Sequence, residues 1–327
     1  RRMHWLSQGD SRYDLVHLFE TRPATLFPGL FLSRRDGLPL VVDWNDWWGR
    51  GGLITINRPL WYRVLFGGVE TFFEEHYRAR ADATTVISHG LAQRAASLGV
   101  PPQSITHLRP GIDPNRFTTE SDLALRRQLG FADDDIILGY SSQDTFFDIA
   151  PVLQGAQIAR QQGWPLKLLV LGQYSRGFSR NIGKHGLASV THLAGFVSDE
   201  DYPGYLSIAD FMVTPFKRSN YNLGRWPNKF GDYLATGRPI VFNAFGDLAE
   251  FTADPPGMAC EFQGAAFAEA FATLCADADL RHRLGARARE LALLKFRWED
   301  RIEALEAVYA RVVSEQVRKA SHLRYQV

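Results

Sequence analysis

The chain has 327 residues, 45% of them hydrophobic and 22% charged, which suits a soluble globular protein with two packed cores rather than one. Its formal net charge of +1 carries no global electrostatic footprint for nucleic acid, so no nucleic-acid partner is expected. Cys260 and Cys275 fit neither a disulfide framework nor a metal-ligand spacing, which favours a reducing compartment, and no apolar run approaches the roughly 20 residues of a membrane-spanning helix.

Short β-branched runs alternate with helical patterns, the rhythm of βαβ units and parallel sheets. In the first third, 14–19, 39–44, 84–87 and 105–109 read as strands, with Ser88 as a helix N-cap. The chain opens Arg1-Arg2-Met3 and runs directly into a strand-like stretch. A doubly wound domain would want two more βα units ahead of residue 14, roughly 60 residues, so a missing N-terminal piece is expected. The stretch "RPGIDPNRF" (109–117), with two prolines and a glycine, reads as an interdomain linker. Six more strands are then expected at 135–142, 166–172, 189–196, 210–216, 238–243 and 257–262, followed by helical stretches at 264–294 and 298–318.

Between strands 210–216 and 238–243 lies "LGRWPNKFGDYLATGRPIV" (223–241). Pro227 suits the first helical position, which makes Asn228 and Lys229 first-turn residues, and Asp232 lies three residues on. An ammonium beside the positive end of a helix dipole is unfavourable unless an anion is present. One reading puts a phosphate on Lys229, Arg225 and the free N–H groups, with Asp232 accepting hydrogen bonds from vicinal sugar hydroxyls. The other is a plain i,i+3 salt bridge, worth about 0.2–0.5 kcal/mol. The location at the carboxyl end of a buried strand favours the ligand.

Further residues invite two readings each. "DWNDWWGRGG" (43–52) sets three tryptophans beside Asp46 and Arg50; Trp47 and Asp46 suit sugar stacking and hydrogen bonding, or the loop is internal packing. The aromatic helix at 59–80, with Arg58, Arg63, Arg78 and Arg80, fits docking on an anionic membrane, although an apolar stripe of this kind is more often domain core. "ADDD" (132–135) reads as a solvated turn.

"VISHGLAQRAASLGVPPQSITHLRPGIDPNRF" (86–117), "FVSDEDYPGYLSIADFMVTPF" (196–216), "PNKFGDYLATGRPIV" (227–241) and "FRWEDRIEALEAVYARV" (296–312) together resemble the retaining glycosyltransferases of family 4, which have the GT-B fold. The resemblance implies an α/β protein of two facing Rossmann-like domains: an acceptor-side domain over 1–111, a nucleotide-sugar domain over 112–300, and a final helical segment, 301–327, packing back on the first. It implies a nucleoside-diphosphate-sugar donor, a carbohydrate or lipid-linked acceptor, no metal or other cofactor, and a cytoplasmic place that extends to peripheral contact with the inner membrane face. The Gly195-Phe196-Val197 strand end would line the base, with Gly172 opening a loop nearby.

The chain departs from the family in three places. Family members carry a Glu, seven residues, then a second Glu that binds ribose; Asp232 falls on the second position and Gly224 on the first, so the sugar contact would pass to backbone groups or to Asn222. The usual Arg and Lys after strand 135–141 are absent from "GYSSQDTFFDIA" (139–150). Lys229 and Arg225 would then hold the diphosphate, with Ser141 or Ser142 donating hydrogen bonds. In "YDLVHLFETRP" (13–23) His17 is kept where the family has His-x-His-Glu, and reads as a core histidine satisfied by hydrogen bonds, while Glu20 at the strand exit suits an acceptor contact or base. Besides a transferase, a catalytically silent GT-B module and another GT-B enzyme such as a sugar-nucleotide epimerase stay open. Base, donor sugar, acceptor and oligomeric state are not encoded in any motif found.

Overall fold

A computed structural model describes Leu6, residues 13–142 and residues 148–324. Residues 143–147, within the 139–150 stretch expected to lack the family's basic pair, lie outside the described residues. In chain order the elements that matter are β1 (Val16–Phe19), α1 (Pro23–Asp36), β2 (Leu40–Trp44), α2 (Leu60–His76), β3 (Ala83–Val86), α3 (His89–Ser97) and β4 (Ile105–His107). Next come β5 (Ile136–Ser141), α4 (Ala150–Gln161), β6 (Leu166–Leu171), β7 (Thr191–Gly195), α5 (Tyr202–Ser207) and β8 (Phe211–Thr214). The chain closes with α6 (Asn228–Ala235), β9 (Ile240–Phe242), β10 (Gly257–Ala259), α7 (Gly264–Ala276), α8 (Ala278–Lys295) and α9 (Trp298–Arg324).

The chain divides into two compact units. The first takes the described residues up to Pro110, the segment Arg218–Trp226 and the helix from Glu299 onward; the second is Gly111–Lys217 with Pro227–Trp298. Unit 1 holds a parallel sheet in the order β1-β2-β3-β4. Leu26 of α1 packs with Val16, Leu18, Leu40 and Val42 on one face. On the other, Val308 and Val312 of α9 pack with Val41 and Ala83, so the C-terminal helix does close on the first sheet. Tyr309 on that helix meets Nδ1 of His17 through its hydroxyl at 2.8 Å, and burial lowers the His17 pKa; its Nε2 is buried with no partner, so the histidine is only half satisfied.

Unit 2 holds a six-stranded parallel sheet in the order β10-β9-β8-β5-β6-β7, doubly wound about β5 and β8. Its core joins Leu138, Leu168, Val170, Phe211 and Val213 of the sheet to Val152, Leu153 and Ala156 of α4 and Phe267 and Phe271 of α7. Two expectations shift in detail. The stretch 264–294 is two helices, because the Asp277 carboxylate accepts from Leu280 N at 2.7 Å and starts α8. Pro227 is the N-cap of α6 rather than its first residue, with φ −77° and ψ 92°, which leaves Lys229 in the first turn.

Candidate functional site

In an open parallel sheet, ligands gather at the carboxyl ends of the strands beside the point where the strand order reverses. In unit 2 that point lies between β5 and β8, and a cavity of about 450 Å³ opens there. Three strand exits build its floor: Ser141 and Ser142 after β5, Gly172 and Gln173 after β6, Phe196 and Val197 after β7. Gly172 has φ +111°, and a Cβ built on it would lie 1.9 Å from the Ser142 carbonyl oxygen. Only glycine permits these two loops to approach so closely.

The wall is α6. Lys229 Nζ lies 3.4 Å from Asp232 Oδ2, and its ammonium sits 4.3 Å from the centre of the Tyr202 ring, whose hydroxyl donates to the same carboxylate oxygen at 3.3 Å. The i,i+3 pair is therefore made, but it is long and its lysine is 40% exposed. At about 0.2–0.5 kcal/mol such a pair yields readily to a more highly charged anion. Burial raises the Asp232 pKa, opposed by the charge and hydrogen bonds of Lys229 and Tyr202.

Arg116 lines the same cavity and was not picked out from sequence, where its segment read as a linker and as part of the family resemblance. The Asp113 carboxylate accepts from Asn115 N at 3.0 Å, shaping the Pro114–Arg116 turn that presents the guanidinium. Arg116 donates to the Asp199 backbone oxygen at 3.0 Å, and its charge lowers the Asp232 pKa. The second cation beside Lys229 is thus Arg116.

Arg225, expected beside Lys229, belongs to unit 1 and does not line this cavity; there its charge holds down the pKa of Asp46. Asn222 and Gly224 go with it. Asn222 is fully buried, in a short helical turn capped by Ser219. A Cβ on Gly224 would lie 2.4 Å from Cβ of Trp47, so the tryptophan leaves no room for a side-chain carboxylate at this position. Ser88 fastens the segment by donating to the Leu223 carbonyl at 2.9 Å. Asn228 is exposed at the start of α6 and does not line the cavity.

Trp47 itself is no stacking platform. It is 8% exposed, donates from Nε1 to the Arg50 carbonyl at 2.9 Å, and carries the Arg94 guanidinium 3.9 Å over its ring. Its neighbour Trp48 instead borders a second cavity, of about 260 Å³ and within unit 1, with Glu20, Arg22, Asp46 and Glu74. Glu20 has φ +83°, a strained conformation for a residue with a side chain, and its carboxylate meets Arg22 at 3.1 Å. Burial pushes the Asp46 carboxyl up to about 6 against the pull of Arg225. Glu74 shapes the loop around them, accepting from Trp48 N at 2.7 Å, from Gly49 N and from the Trp44 indole at 3.1 Å. Beneath lies Arg78, fully buried, donating to the Glu74 and Asp43 carbonyls at 2.7 and 3.0 Å, its pKa lowered by burial to about 9.

A family model described as a glycosyl transferase 4-like domain matches residues 1–111, and one described as glycosyl transferases group 1 matches residues 140–277. D-inositol 3-phosphate glycosyltransferase of Stackebrandtia nassauensis is 28% identical over 269 residues, 76% of this chain and 59% of that protein. A GDP-mannose-dependent alpha-(1-6)-phosphatidylinositol monomannoside mannosyltransferase of Mycobacterium tuberculosis is 24% identical over 230 residues, 67% of this chain and 59% of that protein. The chain thus spans 59% of the length of these two relatives. Among solved structures, Anabaena HepE in complex with UDP and glucose superposes with a TM-score of 0.71 at 16% identity, over 91% of this chain and 78% of that one. Sucrose-phosphate synthase of Thermosynechococcus elongatus gives 0.73 at 18% identity, over 93% and 74%. These likenesses carry the fold, and with the two domain matches the chain belongs with the family 4 glycosyltransferases of GT-B fold.

Proposed function

We propose that the chain transfers a sugar from a nucleoside-diphosphate-sugar to an acceptor hydroxyl with retention of anomeric configuration. The observation that carries this reading is the unit 2 cavity, where two cations, Lys229 and Arg116, and one carboxylate, Asp232, meet three strand exits at the doubly wound switch point. A diphosphate fits Lys229, Arg116 and the first-turn N–H groups of α6. Ribose hydroxyls fit Asp232, in place of its contact with Tyr202, and the base fits the backbone around Phe196 and Val197. Ser142 suits a hydrogen bond to the phosphates, and Gly172 opens the loop beside it.

In the chemical step the bond from the sugar's anomeric carbon to the diphosphate oxygen breaks, and a bond to the acceptor oxygen forms on the same face. The acceptor proton passes to the departing phosphate oxygen. Lys229 and Arg116 stabilise the negative charge that grows on that phosphate, and no metal is required for this. On the acceptor side, Glu20 and Asp46 are the carboxylates suited to hold a hydroxyl-bearing acceptor in the unit 1 cavity, with Trp48 in the role first given to Trp47. The relatives' names include GDP-mannose and UDP, so a panel of UDP- and GDP-sugars is the natural screen.

One observation favours a second reading. With Gly224 packed on Trp47, the first carboxylate of the family's donor motif has no counterpart, as in a silent module that binds a nucleotide-sugar without turning it over. The experiment is donor turnover: transfer or hydrolysis across the panel, with the product's anomeric configuration read by NMR, supports the enzyme. Tight binding with no product from any donor supports the silent module.

A further inference from the structure

Helix α2 departs from the expectation that its apolar stripe is domain core. Trp61, Val64, Leu65, Val69 and Phe72, at spacings of three and four, form one face of the helix, and each is between 47% and 74% exposed. Leu60 at the helix start is 68% exposed. What the helix buries is the opposite side, Gly67, Thr71 and Glu74. Of the four arginines noted in this stretch, Arg78 is buried, whereas Arg58 and Arg80 are exposed at the two ends of the helix. The three carboxylates of α2 are all engaged: Glu70 accepts from the Tyr62 hydroxyl at 2.6 Å, Glu75 pairs with Arg94, and Glu74 binds the Trp48 loop. The face is therefore apolar, aromatic at its start, and flanked by arginines at the two ends of the helix, with Glu75 matched by Arg94.

We propose that this face of α2 docks in the plane of an anionic lipid bilayer, its apolar side chains in the headgroup boundary and Arg58 and Arg80 on lipid phosphates. Charge chooses this occupant: an apolar stripe with arginine ends matches an anionic interface, where arginine is drawn by charge and Trp61 by its amphipathic ring. The other side of the same helix faces the unit 1 cavity. Tyr62, Val69 and Phe73 form a wall of the unit 1 cavity that holds Glu20 and Asp46, and Val69 belongs to both surfaces. A bilayer seated on α2 brings the headgroup of a membrane-borne acceptor to that cavity. This last step rests on the glycosyltransferase reading; the docking does not.

The test is co-sedimentation of the full chain with vesicles of phosphatidylcholine alone and of phosphatidylcholine with phosphatidylglycerol, at low and high salt. The expected result is partition onto the anionic vesicles, weakened at least about tenfold on neutral ones and by added salt. W61S/L65S/F72S should lose binding about tenfold or more, and R58E/R80E should lose the preference for anionic lipid. Circular dichroism and nucleoside-diphosphate affinity in unit 2 report whether the variants fold; if the triple variant does not, the lipid and salt dependence of the wild type decides. Wild type that ignores both vesicles, or a triple variant that binds as wild type does, overturns the proposal. So does self-association without lipid that the triple variant abolishes, which would assign the face to a second copy. Transfer to a water-soluble acceptor, measured alongside, separates the two claims: turnover without vesicle binding removes docking alone, and vesicle binding without turnover removes the enzyme alone.

Discussion

The two cavities use charge differently. The unit 2 cavity keeps its cations at the rim, with Lys229 40% and Arg116 44% exposed and each in a replaceable ion pair. It draws its shape from backbone, through Gly172 and the strand exits. The unit 1 cavity has an exposed pair too, Glu20 with Arg22, but adds buried charge in its wall, Glu74 and Arg78, and an Asp46 raised to about 6 by burial. A rim of exposed cations suits a ligand that arrives already charged, such as a diphosphate. Buried charges hold a loop in one shape and make an adjacent carboxylate sensitive to pH, which suits a neutral, hydroxyl-bearing ligand.

Substitutions can break this contrast, and the largest effects are expected where atoms collide. Gly224→Glu, which would restore the family's acid, drives a side chain into Trp47 and should destabilise the fold by about 3 kcal/mol or more in thermal unfolding. Combined with Trp47→Ala, the two changes should cost less than their sum; full additivity would disconnect Gly224 from Trp47. Glu74→Ala strands the Trp48 and Gly49 N–H groups, at about 1–3 kcal/mol for each buried donor left unpaired, while the Trp44 indole keeps the Asp46 carbonyl at 2.8 Å. Nucleotide affinity should survive it, and its loss would tie the two cavities together.

Smaller effects fall on binding. Asp232→Asn should lower ribonucleotide affinity about tenfold and leave affinity for the 2′,3′-dideoxy analogue nearly unchanged, by calorimetry. Because burial raises the Asp232 pKa, wild-type ribonucleotide affinity should weaken on acidification earlier than an ordinary carboxylate would dictate, and the asparagine variant should lack that dependence. The smallest change concerns Asp46. Its pKa rises from 3.8 unfolded to about 6 folded, so the folded state binds the extra proton in between. Stability should fall as pH climbs through that window and stay level above it, and Asp46→Asn should flatten the slope. With an acceptor in hand, kcat/KM should rise to a plateau with a midpoint near pH 6 in wild type only. A wild-type profile without that midpoint would take Asp46 out of the acceptor site.

Much of the fold was legible because strand and helix periods are local. The strands stand within three residues of their expected places, and Asp232, Lys229 and Gly172 line the unit 2 cavity. What was not legible depends on contacts distant in sequence. Gly224 is a glycine because of Trp47, and Arg225 follows it into unit 1 because Ser88 and Trp47 fasten that segment there. Trp47 and Trp48 are adjacent and chemically identical; only the fold of the loop around Glu74 sends one into packing and the other to a cavity wall. Arg116 was hidden inside a stretch whose prolines marked it as a connection. The α2 stripe misled because its periodicity is the same whether the face meets a core or a bilayer.

The central claim is that Lys229 serves a diphosphate rather than Asp232 alone. Titration calorimetry of wild type and Lys229→Ala with a nucleoside diphosphate and with the matching nucleoside tests it directly. The account predicts at least about a tenfold loss for the diphosphate, the worth of one charge-assisted hydrogen bond, with nucleoside affinity essentially unchanged. Equal losses on both ligands, or none on either, would contradict it.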